Sequence, residues 1–204
     1  SDSLIPGARF NWCEPQGIYA AMNIGLSLAH GRYIYFLNAG DLLADPQVLA
    51  DLKHSMNDID PVWVVGRVEI SEVSGKTVVS KSWDYHAEKK ALFARGVFPP
   101  HQGTIVRTES LREVGGFDSR YLISADYAAA LSLSLLSDPL MTARVIARFT
   151  EGGISTWNWK ESFRQFHSAR RSILEPKGFS SVREYFNYWK HFASVWLIRT
   201  LRRS

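Results

Sequence analysis

Tyr33-Ile34-Tyr35-Phe36-Leu37-Asn38-Ala39-Gly40-Asp41 is the stretch whose reading decides the fold. Five apolar residues in a row have the length of a buried strand. Asn38 to Asp41 then stop it with turn chemistry. A strand ending on an acidic turn puts a carboxylate beyond the carboxyl edge of a sheet, where ligands of open α/β sheets bind. Asp41 there can hold Mg²⁺ or Mn²⁺ against a diphosphate, because hard cations take oxygen ligands and share them with phosphates. It can equally be a plain turn residue or helix cap.

Upstream, Ile18, Ala21, Met22, Gly25, Leu26 and Ala29 recur at helical spacing, with Gly31 as a stop. Downstream, Asp45-Pro46 reads as a cap and first residue of a helix running to about Met56. Residues 62–70 form a β-rich run, and Ser74-Gly75 turns the chain into a second strand over Lys76–Lys81. A short helix is expected over 86–94, a break at Pro99-Pro100 and a strand over Gly103–Arg107. A helix over Glu109–Val114 stops at Gly115-Gly116, and a second spans Asp126–Leu136. Arg144–Thr150 reads as a strand, followed by helices near 158–175 and 181–202. Strands alternating with helices predict an α/β protein with a mixed sheet flanked by helices.

Composition narrows the classes. The 204 residues are 46% hydrophobic and 22% charged, which supplies a core and argues against wholesale disorder. Cys13 is the single cysteine, so the chain has neither an intrachain disulfide nor a cysteine-rich zinc site, and a reducing, cytoplasmic compartment is expected. No apolar run reaches the roughly 18 residues of a spanning helix. Ser1 to Gly7 have neither the basic start nor the apolar stretch of a signal peptide. The net charge of +4 lies in residues 183–204, where five basic residues meet one acid, Glu184, and the rest of the chain is balanced. Without a global basic field, no nucleic-acid partner is expected. The same tail holds Phe186, Trp189, Ala193, Trp196, Leu197 and Leu201 near one helical face. That face is either a peripheral contact with an anionic membrane or a surface packed on the domain.

Several further residues can carry chemistry. Asp126 opens a helix of small apolar residues; it is a helix cap or a general base aimed into a cleft, and Asp118 in Gly115-Gly116-Phe117-Asp118 is equally open. His101 in Pro100-His101-Gln102-Gly103 is a structural or a functional histidine. Gly152-Gly153, before Ile154 and Ser155, permit close backbone approach to a ligand or are an ordinary loop.

In order, these pieces resemble the family 2 glycosyltransferases of the GT-A fold. Glu14-Pro15-Gln16-Gly17-Ile18-Tyr19-Ala20-Ala21-Met22-Asn23-Ile24-Gly25 is similar to the family's Glu-Pro-Asp, Gly-Ile-Tyr-Asp-Ala-Met-Asn and Lys-Gly stretch. Leu37 to Asp41 resembles its metal-binding turn, and His101-Gln102, Gly115 to Asp118 and Asp126-Tyr127 resemble the acceptor-side half. Phe149 through Ser155 resembles a later loop, so the likeness runs from Glu14 to Ser155. It departs at Ala20, Gly40 and Ala125, where the family often has acids, and near Gln16, where the stretch is one residue short.

The resemblance implies a nucleotide-diphosphate sugar donor, a saccharide or lipid-linked acceptor, and transfer with inversion in surface polysaccharide or lipopolysaccharide assembly. Asp126 is implied as the catalytic base and Asp41 as the ligand of Mn²⁺ or Mg²⁺. Asn23, Asn38, His101, Gln102, Asp118, Gly152, Gly153 and Ser155 are implied on the substrate side. The family's first two strands have no counterpart here, so a partial, N-terminally truncated GT-A domain is expected over 1–156, with a helical extension over 157–204. The other class of function for such a chain is a non-catalytic remnant that binds a partner or membrane.

Overall fold

Trp63-Val64-Val65 is the centre of the molecule. Trp63 and Val65 are buried on one face of a sheet and Val64 on the other. A strand covered on both faces reads as a continuous apolar run rather than an alternating one. The computed structural model describes residues 8–72, 74–82, 84–150, 158–175, 178 and 181–201.

The elements in chain order are α1 (Ile18–Leu28), β1 (Tyr33–Tyr35), β2 (Leu42–Leu43), α2 (Val48–Met56), β3 (Trp63–Ser71), β4 (Thr77–Val79) and α3 (Tyr85–Ala94). A 3₁₀ turn at His101–Gly103 leads into β5 (Thr104–Arg107), then α4 (Thr108–Glu113), α5 (Ala125–Leu136) and β6 (Leu140–Thr150). Two helices follow, α6 (Trp159–Leu174) and α7 (Ser181–Leu201). The strand order is β1-β5-β3-β6-β2, with β4 hairpinned onto β3. Among the described residues β3 and β6 run parallel and the other pairs are antiparallel, so the sheet is mixed. The parallel pair needs a long crossover, supplied by everything from β4 to α5.

One face of the sheet packs against α1, α3, α5 and α6 through Met22, Leu26, Phe93, Tyr127, Leu131 and Ala169. The other face is covered by α2 through Val48 and Leu52 against Val64, Ile105 and Ile146. Each such side chain removed from water contributes roughly 1.5–3 kcal/mol before ordering costs. Helix α5 is buried nearly all round, which its run of alanines permits by letting neighbours approach closely. Trp63 keeps its indole N–H satisfied at the Ser137 carbonyl, 2.9 Å away.

Local differences from the sequence expectations have physical causes. Asp45 does not cap α2; its carboxylate accepts from the Gln47 amide at 2.8 Å in a turn ahead of the helix. The strand expected over Tyr33–Leu37 ends at Tyr35, which pairs with Ile105, one residue inside the start of β5 at Thr104. Strand β2 consists of two residues, paired with Arg148 and Ala147 of β6, with Leu43 packed on the core beneath α2. No periodicity marks so short a strand.

Candidate active site

Three chain ends meet at one edge of the sheet. Strand β1 and strand β5 are antiparallel, so the carboxyl end of β1 lies beside the 3₁₀ turn that begins β5. Gly103 lets that turn sit down on β3: a Cβ there would come within 2.9 Å of the Gly66 carbonyl oxygen. The amino-terminal end of α5 closes the third side with Asp126 in its first turn, where the helix dipole favours a carboxylate.

These elements string together four of the expected residues. His101 Nε2 lies 2.7 Å from Asn38 Nδ2, and its Nδ1 faces Asp126 Oδ2 at 3.6 Å. With the Asn38 amide donating, Nε2 accepts and Nδ1 carries the proton that faces the carboxylate. The Asn38 carbonyl in turn accepts the Asp41 amide at 3.0 Å. Asp126 and His101 also line a cavity of about 30 Å³ with Phe36, Thr104 and Phe117, room for a water-sized guest.

Asp126 uses its two oxygens differently. Oδ1 accepts from the Tyr19 hydroxyl and from the Tyr127 amide, both at 2.8 Å. Oδ2 faces the His101 ring and, among the described residues, accepts no hydrogen bond, so it is available as an acceptor. Burial, and after it the charge of Asp126, push the Tyr19 hydroxyl far above the ordinary phenol range. The Tyr19 hydroxyl therefore keeps its one proton, which it shares between Asp126 Oδ1 at 2.8 Å and the Ile123 carbonyl at 2.9 Å, tying that edge of the carboxylate to the turn before α5.

At the other end of the string, Asp41 Oδ2 is buried and accepts no hydrogen bond from the described residues. A buried carboxylate oxygen without a donor is costly. A cation against it would remove that cost. Among the described residues no group of three or more His, Cys, Asp or Glu side chains could cage a metal. A single carboxylate fits a hard cation only where the remaining oxygen ligands come from outside the protein. Tyr35 shares this neighbourhood: burial first, then the Asp41 charge, pushes its hydroxyl up to about 12. That hydroxyl donates to the Gln102 backbone carbonyl at 2.8 Å, tying β1 to the histidine turn.

The remaining expected residues divide. Asn23 is clamped to the backbone: its amide donates to the Phe117 carbonyl at 2.7 Å and its oxygen accepts the Phe117 N–H at 2.9 Å. Asp118 is held by Arg120, whose guanidinium bonds keep its carboxyl below the usual range. Gly152, Gly153 and Ser155 lie outside the described residues. Two positioning residues escape sequence reasoning. Tyr19 sits inside the quoted Gly17-Ile18-Tyr19 stretch, which was the available signal. Arg112 donates to the Leu26 and Ala29 carbonyls at the end of α1, at 2.9 and 2.6 Å, and nothing local marks it.

Comparison with known proteins bears on the fold and the reaction class. No protein-family model matches the chain. Over 158 residues it is 28% identical to an uncharacterized glycosyltransferase of Mycobacterium tuberculosis, covering 74% of this chain and 57% of that one. Over 150 residues it is 27% identical to a PGL/p-HBAD biosynthesis glycosyltransferase of Mycobacterium bovis, covering 69% and 54%. The chain thus spans little more than half the length of these curated relatives. Among solved structures, S. aureus TarS 1-349 superposes with a TM-score of 0.55 at 14% identity, over 83% of this chain and 48% of that one. The same fragment in complex with UDP also gives 0.55, over 86% and 50%. Sequence similarity therefore points to glycosyltransferases, and the mixed α/β fold is one that TarS shares.

Proposed function

We propose that this chain carries the catalytic core of an inverting, metal-dependent glycosyltransferase of family 2 and the GT-A fold. The observation that carries the reading is the string Asp126–His101–Asn38–Asp41 at one sheet edge. It offers a poised base at one end and an unpartnered buried carboxylate oxygen at the other. The glycosyltransferase relatives support the reaction class, and the UDP held by TarS supports a nucleotide-diphosphate sugar as donor.

In this reading Asp126 Oδ2 takes the proton of an acceptor hydroxyl as its oxygen attacks the anomeric carbon. The new C–O bond forms as the bond to the leaving diphosphate breaks on the opposite face, so the anomeric centre inverts. Tyr19 and the Tyr127 amide hold the carboxylate in line, and the His101 N–H stabilises it before the proton moves. Asp41 would hold Mn²⁺ or Mg²⁺, which supplies charge neutralisation at the departing diphosphate. The acceptor is a saccharide or lipid-linked hydroxyl, a class supported by the PGL/p-HBAD relative, and the product belongs to envelope glycan assembly. A cytoplasmic location belongs to the same reading, in keeping with a single cysteine.

The test is a transfer assay over nucleotide sugars with Mn²⁺, using the chain together with any coding sequence that adjoins it. The expected result is metal-dependent release of nucleotide diphosphate from one donor, with an inverted product anomer by NMR. Donor binding without release under any acceptor would favour the non-catalytic alternative, and a retained anomer would overturn the mechanism.

A further inference from the structure

Helix α7 has two unlike faces. The inner one is fixed to α6. Glu184 is fully buried and bonds to Arg170 and His167. The Tyr188 ring lies 4.8 Å from His167, and Phe192 lies 5.5 Å from Trp159. The outer face holds Val182, Tyr185, Phe186, Trp189 and Trp196, each between 49% and 72% exposed. Their spacing places them on one stripe.

Charge gives this stripe a direction. Glu184 is the only acid between residues 183 and 204, and the fold buries it. The segment's one acidic side chain is thus withdrawn from solvent, while Lys190 is exposed next to Trp189. The sequence of the segment adds Arg183, Arg199, Arg202 and Arg203.

We propose that the outer face of α7 docks on an anionic lipid bilayer. Tryptophan and tyrosine rings suit the boundary between acyl chains and headgroups, having an apolar body and a polar edge. Basic residues of the same segment add attraction to anionic headgroups, roughly fivefold in partitioning for each. A second copy of the same face is disfavoured, because two cationic surfaces repel. Among the described residues no helix is long and apolar enough to cross a membrane, so α7 lies in the plane of the surface. Docking of this kind does not depend on glycosyl transfer.

Vesicle flotation tests it, comparing phosphatidylcholine vesicles with vesicles that also contain phosphatidylglycerol. The chain is expected to float with the anionic vesicles only, and less as salt rises. The variant Phe186→Ser/Trp189→Ser/Trp196→Ser should stay behind, with an unchanged far-ultraviolet dichroism spectrum. Lys190→Glu alone should weaken binding at least about fivefold, which keeps the test decisive if the triple variant misfolds. Flotation that ignores lipid charge, or that survives these substitutions, overturns the proposal. So does no flotation, with gel filtration showing a dimer that the triple variant breaks: the face would then belong to a second copy.

Discussion

His101 Nδ1 stands 3.6 Å from Asp126 Oδ2, while the opposite nitrogen of the same ring lies 2.7 Å from Asn38 Nδ2. The imidazole is thus the link between the turn after β1 and the first turn of α5. At 3.6 Å the contact is longer than a hydrogen bond, so the ring N–H faces Asp126 as a dipole and leaves Oδ2 free to receive a proton. Both side chains are only about one-sixth exposed, which strengthens that interaction over one in water.

Asp126→Asn should separate a base from a residue that only steadies the first turn of α5, whose cap position is Ser124. Asparagine keeps an acceptor oxygen for Tyr19 and the Tyr127 amide and gives up the carboxylate's favourable place at the helix start, about 0.3–1 kcal/mol, so thermal stability should change little. Turnover should fall by roughly 10²–10⁴, with donor affinity preserved. Tyr19→Phe removes the hydrogen bond that orients Oδ1, and should lower kcat more than it raises the donor KM. Steady-state kinetics beside a melting curve checks both; a normal rate in Asp126→Asn would leave the residue a structural one.

Asp41→Ala should abolish the added stability that Mn²⁺ gives in the presence of a nucleotide diphosphate. Ligand that binds the folded state raises stability by about 2.7 kcal/mol at a hundred times its dissociation constant. Differential scanning fluorimetry with and without Mn²⁺ reads this directly, with no need for turnover. An equal Mn²⁺ shift in wild type and variant would remove Asp41 from the cation site.

Arg170 and Glu184 should be strongly coupled. Arg170 is 4% exposed and also donates to the Phe93 carbonyl and to the Tyr127 hydroxyl, each at 3.0 Å. Breaking a buried pair from one side strands the other charge, at a cost of roughly 3–5 kcal/mol. Arg170→Met should lose about that much by chemical denaturation, and Arg170→Met/Glu184→Gln should lose less than the sum of the single changes. Strict additivity would show that the pair contributes no coupling to the packing of α7 on α6.

The sequence by itself determined the class of fold and most of its parts. The buried run at Trp63–Val65, the hairpin turn at Gly75 and the alanine-rich α5 announce themselves because they depend on local propensity and burial pattern. Asp41 and Asp126 were legible as candidates, since a carboxylate after a strand or at a helix start is a local feature. Gly116 was legible as a stop, but its second task was not. It has φ +68 and a Cβ there would come within 2.7 Å of Asn23 Oδ1, so it also makes room for the clamp from α1. Only the tertiary structure decided which residues meet. The strand pairing that sets β1 beside β5 brings Asn38 to His101, and the crossover to β6 brings α5 over both. It also divided the aromatic tail: Tyr188 and Phe192 pack inward on α6, while Phe186, Trp189 and Trp196 stay exposed. Helical spacing gives the angle between such residues, but the side that faces the body is set by the partner, here the buried charge pair of Glu184 with Arg170.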